Sequence, residues 1–271
     1  MKQNRWLPAV IIVIASIFML LPLVILGIYS FVVSWSGIFP SGYTLKYYQD
    51  VFADARFWPS MLRGLSISIV PILLSGTTVI LALYTSILYC PKLEGIIQSI
   101  CMIPHTLKGV ILAISVLALY AGGGPVFGNR IVMLTFVYCI IILPFIYQGI
   151  RNNLRAINVQ QLIEAAEILG ASKLYAFLRI IVPNMLSGIL ISSLLAMSTI
   201  FSDFAIVKIV AGSQYLTAQQ LLYNARNNPG QYTSAIVLIM FLATLLISGI
   251  AFALQNRLDR KMEQSAQSVK E

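Results

Sequence analysis

Six stretches of this chain are long, apolar and nearly free of charge, and everything else about its fold must accommodate them. A bilayer core about 30 Å thick is crossed by about 20 helical residues rising 1.5 Å each. Residues 7–33, 64–89, 96–120, 131–150, 186–210 and 233–254 all supply that length. Lipid cannot hydrogen-bond exposed backbone, so segments of this kind cross as helices, and the expected class is an all-α membrane protein with six transmembrane helices. Composition agrees: 59% of residues are hydrophobic, only 10% are charged and the mean hydropathy is +0.87, whereas a soluble domain is about 25% charged. A disordered chain, a collagen-like repeat and a coiled coil are excluded by the same figures. Cys90, Cys101 and Cys139 have no paired spacing, which argues against a disulfide framework or a zinc site and leaves them as packing residues.

The first stretch follows Lys2 and Arg5, but it is about twice as long as a secretory signal core and has no small-x-small cleavage site, so it reads as a retained signal-anchor helix. With the amino terminus inside, eleven of the 18 Lys and Arg residues fall on the inner side, five fall outside, and Lys108 and Lys208 lie within spans. That asymmetry places both termini in the cytoplasm. It also accounts for the net charge of +9 without a nucleic-acid partner.

Residues 34–62 form an external loop rich in Trp and Tyr with balanced charge, suited either to an interfacial helix or to a docking surface. Residues 121–130 are glycine-rich but lack the Gly-Lys-Ser or Gly-Lys-Thr of a phosphate loop, and read as a flexible external turn. The long inner connection 151–182 is more structured. Asn158, with Gln161 three positions on, makes a helix start in which the Asn accepts from a free N–H and the Gln reaches back. From Val159, the residues Leu162, Ala165, Ala166 and Leu169 recur at helical spacing as one apolar stripe, with Glu164 and Glu167 off it. Gly170 can take the left-handed conformation that closes a helix. Ser172 can cap a second helix with Leu174, Phe177, Leu178 and Ile181 on one face, and Pro183 suits the first turn of the next span. The product is two short helices hinged at a glycine on the inner membrane face, presenting a shaped knob to a groove.

This segment resembles the cytoplasmic EAA loop of permease subunits in binding-protein-dependent ABC importers. Glu164-Ala165-Ala166, Gly170, Ile180, Val182 and Pro183 follow that pattern, with Val182 standing where the family has Leu. The stretch from Ser34 to Tyr48 is similar to the Gly-Phe-Thr-Leu segment of permeases for spermidine and putrescine and for 2-aminoethylphosphonate, and Ser202-Asp203-Phe204 resembles the acidic-aromatic step of the polyamine group. The resemblance implies a type I importer permease fold with a cytoplasmic coupling helix between transmembrane helices 4 and 5. On this reading the chain divides into 1–62, an amino-terminal helix and external loop; 63–254, the five-helix transmembrane domain with the EAA loop at 158–183; and 255–271, a cytoplasmic tail. The implied setting is the bacterial plasma membrane. The implied partners are an ATP-binding cassette subunit dimer, a second permease of a different chain, an external solute-binding protein and membrane lipid. Glu164, Ala165, Ala166, Leu169 and Gly170 would couple to the ATP-binding subunit. The chain carries no ATPase motif, and its one histidine leaves hydrolytic triads and His-rich metal sites without support; no cofactor or metal is expected.

Charges within a span are costly and usually face the bundle interior, which makes Asp203, Lys108 and His105 candidates for the solute path. By helical rise, Lys108 falls near the middle of its span and Asp203 in the outer half of its own, where the two could pair or line the path. Lys208 is near enough to the interface to snorkel. His105 follows Pro104 and could equally satisfy carbonyls that the proline frees. A carboxylate at Asp203 would suit an ammonium-bearing solute. The competing class is a secondary transporter, whose mark is two similar halves broken at matching positions; Pro71, Pro104 and Pro144 lie within spans, but the halves do not repeat.

Overall fold

A computed structural model describes residues 6–35 and 40–268; Lys2, Arg5, Lys270 and residues 36–39 of the Ser34-to-Tyr48 stretch lie outside the described residues. The described chain opens with α1 (Trp6–Ser30), a short antiparallel ribbon of β1 (Val32–Ser34) and β2 (Ser41–Tyr43), and α2 (Lys46–Ala53). The long α3 (Phe57–Leu88) follows, then α4 (Leu93–Thr106), α5 (Gly109–Tyr120), the single turn α6 (Gly124–Phe127) and α7 (Arg130–Ala156). The inner connection holds α8 (Val159–Ile168) and α9 (Lys173–Ala176), and the latter continues through a π-helical turn at Phe177–Ile181 into α10 (Val182–Phe201). After α11 (Ala205–Val210) come α12 (Ala218–Asn224), a 3₁₀ turn at Ala225–Asn227 and α13 (Gly230–Ser268).

By contacts the described residues fall into two units, one drawn from Met1–Ser60 and Gln220–Ala243, the other from Met61–Gln219 and Thr244–Glu271. In the first, most residues of α1 from Val10 onward are exposed and apolar, while Ser30 at its end is buried, as lipid contact along most of the helix requires. The loop expected to form an interfacial helix or a docking surface contains the short helix α2 and also the β1–β2 ribbon, paired Val32 to Tyr43 and Ser34 to Ser41. Phe31 stacks on Tyr48 at 4.9 Å, and the Tyr48 hydroxyl meets Ser30 Oγ at 2.6 Å. Beyond the ribbon, Arg56 donates twice to the Asp54 carboxylate at 2.9 and 3.0 Å, which holds that carboxyl below its ordinary pKa.

In the second unit α7 is the central helix. Leu134, Tyr138, Ile142, Ile146 and Ile150 are all at most 1% exposed and recur every four residues along one face. Against it lie α4, α5 and α10. The crossing with α10 is close because both helices offer glycine there: a Cβ on Gly149 would lie 2.5 Å from that of Ser192, and one on Gly188 would strike the Gly149 carbonyl and the Asn153 side chain. Helices in lipid have little hydrophobic reason to associate, so small residues that let backbones approach become the means of packing. Ser187 Oγ donates to Asn153 Oδ1 at 2.6 Å across the same crossing, and Ser75 Oγ of α3 donates to the Cys139 carbonyl at 3.1 Å.

Among the described residues five helices are long and apolar enough to span a membrane, and the pair α4 and α5, bent by 96°, makes a sixth when counted as one span. The uninterrupted span expected at 96–120 is therefore corrected. Leu107 and Lys108 are extended, with ψ of 128° and 127°, just past the turn in which Pro104 lacks its donor, and Gly109 lets α5 start hard against α11, where a Cβ would sit 2.8 Å from Ile206 Cδ1. The span expected at 186–210 is likewise interrupted after Phe201, and the helix that contains it begins at Lys173. The turn at 121–130 contains α6, and Asn129 Oδ1 caps α7 by accepting from Ile131 N at 2.9 Å. Cys101 is buried and Cys139 half-buried, as packing residues should be, but Cys90 is exposed in the turn after α3.

Gly188→Val should lower the thermal stability of the detergent-purified protein by about 1–3 kcal/mol or more, the cost of overpacking a tight contact. An unchanged melting temperature would show that the α7–α10 crossing can open without loss.

Candidate functional site

The connection from α7 to α10 is fixed at each end by short-range hydrogen bonds. Asn158 Oδ1 accepts from Gln161 N at 3.4 Å, which starts α8. The glutamine whose side chain acts is Gln160, donating to Glu164 Oε1 at 2.8 Å one turn on, in place of the return contact expected of Gln161. At the other end Gly170 has φ +82°. Its N–H donates to the Glu167 carbonyl and that of Ala171 to the Ala166 carbonyl, both at 2.9 Å, the paired closure of a Schellman turn. Ser172 Oγ then accepts from Tyr175 N at 3.3 Å to begin α9, and Lys173 Nζ lies 3.8 Å from Glu167 Oε1 across the turn.

The single apolar stripe expected of Leu162, Ala165, Ala166 and Leu169 divides into two faces. Ile163 and Ala166 are about 5% exposed and Leu162 is half-buried, so this side packs on the chain's own core. Glu164 and Ala165 are exposed, while Ile168 is 86% and Leu169 87% exposed. These four residues stand at i, i+1, i+4 and i+5 and hence share the outer face. Ile168 was missed by the sequence reading, although its spacing from Glu164 is the signal that would have found it.

Beneath α8 the support is rigid. Ile163 joins a buried cluster with Leu83, Leu154, Phe177 and Ile181, and the Tyr84 ring meets Phe177 edge-on at 4.9 Å. Pro183 has no N–H, and just before it the ladder widens so that Val182 N donates to the Phe177 carbonyl, five residues back. The expected restart of a helix at Pro183 is thus a continuous rod from Lys173 to Phe201. Beside the start of α8, Arg151 donates through Nε and Nη2 to Glu94 Oε1 at 3.0 and 2.7 Å. A cavity of about 580 Å³ lies between this ion pair and residues Asn158 and Val159, walled by Leu83, Ile87 and Leu154.

The three candidate path residues are not brought together. Asp203 lies in the break between α10 and α11, where Oδ1 accepts from Ala205 N at 3.1 Å and Ile206 N at 3.4 Å, and Oδ2 accepts from the Tyr138 hydroxyl at 2.9 Å. It accepts from the first N–H groups of α11, one residue before the helix N-cap at Phe204, and from a buried tyrosine. Lys108 is exposed at the bend between α4 and α5, and no ion pair joins it to Asp203 among the described residues. The expected mid-helix position and pairing are therefore corrected. His105 is exposed on the last turn of α4 and, among the described residues, relieves no carbonyl freed by Pro104.

The family described as binding-protein-dependent transport system inner membrane component matches residues 1–264. The chain is 22% identical over 253 residues to PhnV of Salmonella typhimurium, a permease protein named for a 2-aminoethylphosphonate transport system, covering 92% of this chain and 94% of that one. It is 23% identical over 258 residues to a homologue of the spermidine/putrescine permease PotC from Mycoplasma pneumoniae, with 90% of each chain covered. In structure it resembles a chain of a bacterial ABC transporter that imports the acidic polysaccharide alginate, with a TM-score of 0.67, 17% identity and coverage of 93% and 96%. A chain of the MetNI methionine ABC transporter aligns at a TM-score of 0.60 and 18% identity, covering 76% of this chain and 98% of that one. These likenesses identify the fold as that of type I ABC importer permeases. The chain belongs to the binding-protein-dependent transport system inner membrane components, and is a multi-pass permease of an ABC importer, a transport component and not an enzyme.

Proposed function

We propose that the outer face of α8, made by Glu164, Ala165, Ile168 and Leu169 and terminated by Gly170, is the surface that seats in a cleft of the ATP-binding subunit. The observation that carries this is the exposure of Ile168 and Leu169, 86% and 87%, on a short helix capped at both ends. An apolar patch of that kind, rimmed by charge, fits a protein partner. Ala165 between them keeps the surface low enough for close approach. Closure of two ATP-binding subunits would then drive α8 as a rigid knob and rock the spans between inward-facing and outward-facing states. The reading places the 158–183 loop, the tail 255–271 and both termini in the cytoplasm, with 1–62 and 63–254 as the anchor and the transmembrane domain. It pairs this chain with a second, different permease and an external solute-binding protein.

For the solute, His105 and Lys108 face the path at the bend of the broken span, since an exposed charge in a membrane crossing is best accommodated by water. Asp203 positions α11 and Tyr138, as all three of its hydrogen bonds are made within the fold. A free ammonium at Lys108 without a free carboxylate beside it suits a phosphonate better than a polycation. The relatives named for 2-aminoethylphosphonate and for polyamines carry both alternatives; we favour the former, and thermal-shift screening of the cognate binding protein with 2-aminoethylphosphonate, spermidine and putrescine decides between them.

Two variants of α8 test the docking reading. Glu164→Lys should lose the ATP-binding subunit on purification, and unchanged co-purification counts against it. Gly170→Val forces a β-branched residue into the left-handed region at about 1–2 kcal/mol, so the docking turn should be populated about 5–30-fold less. Uptake should fall accordingly at wild-type expression, and normal uptake with normal solute-stimulated ATP hydrolysis would exclude the proposal. For Asp203, the Ala variant should lose about 0.5–2 kcal/mol with the cap while Asn, itself a good cap, keeps most of it. Equal melting temperatures for D203A and the parent protein would remove the structural role.

A further inference from the structure

The ion pair between Glu94 and Arg151 adds a charged, directional contact at the inner end of the packing between α4 and α7. Arg151 sits seven residues before the Asn158 cap, near the end of α7, and its side chain is 16% exposed. Both of its donors converge on one Glu94 oxygen, and its guanidinium lies 5.7 Å from the centroid of the buried Tyr147 ring. Glu94 is in the first turn of α4, where the helix dipole favours a carboxylate. At its other end α4 carries His105 and then the 96° bend with Lys108, about 16 Å away at the helical rise. The cavity beside the pair is walled by Leu83, Ile87 and Leu154 and reaches Asn158 and Val159. The start of α8 thus borders open space on the side of the ion pair while Ile157 and Val159 rest on the core, and α4 and α7 are tied to each other by packing and by a charged, directional contact.

We infer that Glu94 and Arg151 form a positioning clamp that makes α4 follow the end of α7, so that displacement of α8 is delivered to the bend at Thr106 to Gly109. The inference rests on α8 being the docking helix. The role assigned to both is positioning: they act by carrying movement from one end of a 14-residue rod to the other. A neutral partner at either position leaves both helices in place but lets them slip past one another.

The test uses the assembled importer in proteoliposomes. Leu107, at the bend and 47% exposed, is changed to Cys in a Cys90→Ser background, and its labelling by a membrane-impermeant maleimide is timed without nucleotide and with ATP plus vanadate. The reporter protein should change its labelling rate with nucleotide. Adding Glu94→Gln should shrink that change about fivefold or more, the lower range of ordinary coupling between sites, while the ATP-binding subunit still co-purifies. Arg151→Lys, which keeps the charge but not the two converging donors, should act in the same direction and serves if E94Q fails to assemble. Restoration of the nucleotide response by the exchanged pair E94R/R151E would support the clamp by showing that the response depends on direct pairing of the two side chains, even though an arginine in the first turn of α4 opposes the helix dipole. A full nucleotide response in E94Q with the subunit bound would overturn it, as would a bend whose labelling ignores nucleotide in the reporter protein. Failure of the docking reading shows separately, as E164K that retains its ATP-binding subunit.

Discussion

The crossing of α7 and α10 at Gly149 and Gly188 determines where the inner connection can go. α8 leaves from the end of one of these helices and returns through α9 into the other, so their separation sets the distance that 157–172 must bridge. In water a loose crossing would be drawn together by apolar burial; in lipid, tails compete on equal terms and only contact between backbones gives a net advantage. Glycine at both positions permits that contact, and the Ser187–Asn153 hydrogen bond fixes its register. The Schellman turn at Gly170 and the caps at Asn158 and Ser172 then have little freedom left to remove, and α8 is held in one orientation by its two anchors.

Much of this was legible in residue types. Six apolar stretches gave the crossings, and Asn158, Gly170 and Ser172 sit where capping and left-handed backbone were expected, because those signals depend on local hydrogen bonding that tertiary packing here leaves alone. Hydropathy, by contrast, has no sense of direction. Residues 96–120 stay apolar through a 96° bend, and Lys108, read as a charge in the middle of a helix, is instead extended backbone between Pro104 and Gly109. Asp203 misled for a related reason. A side chain that accepts from the first N–H groups of a helix is conspicuous at the edge of a polar loop, but inside an apolar run the same residue looks like a buried charge in need of a partner. The β1–β2 ribbon had no alternation long enough to read.

The division of the α8 stripe shows the limit of pattern alone. With Ile163 and Ile168 added, the apolar positions Leu162, Ala165, Ala166 and Leu169 widen to an arc of about 220° at 3.6 residues per turn, and a helix lying on a core can bury only part of so wide a face. The chain's own core takes Ile163 and Ala166 and turns Ile168 and Leu169 outward. Which half faces in follows from the anchors, since Ile163 must reach Phe177 and Ile181 just after the turn.

What covers the outward half can be argued from its surroundings. Lipid would suit Ile168 and Leu169 taken alone, but Glu164 shares their face, and the Gln160–Glu164 and Lys173–Glu167 contacts surround the same short helix with polar groups. A headgroup region could hydrate those groups but would leave Leu169 at the tip, one residue before an exposed turn, without an apolar neighbour. A concave protein surface meets both demands, taking the two apolar side chains into a pocket and matching the charged rim around it. It also explains why the helix is only ten residues long yet capped at both ends. On the docking proposal the knob transmits force and must not fray, and a helix this short would be marginal in water without its caps and its packing against Phe177.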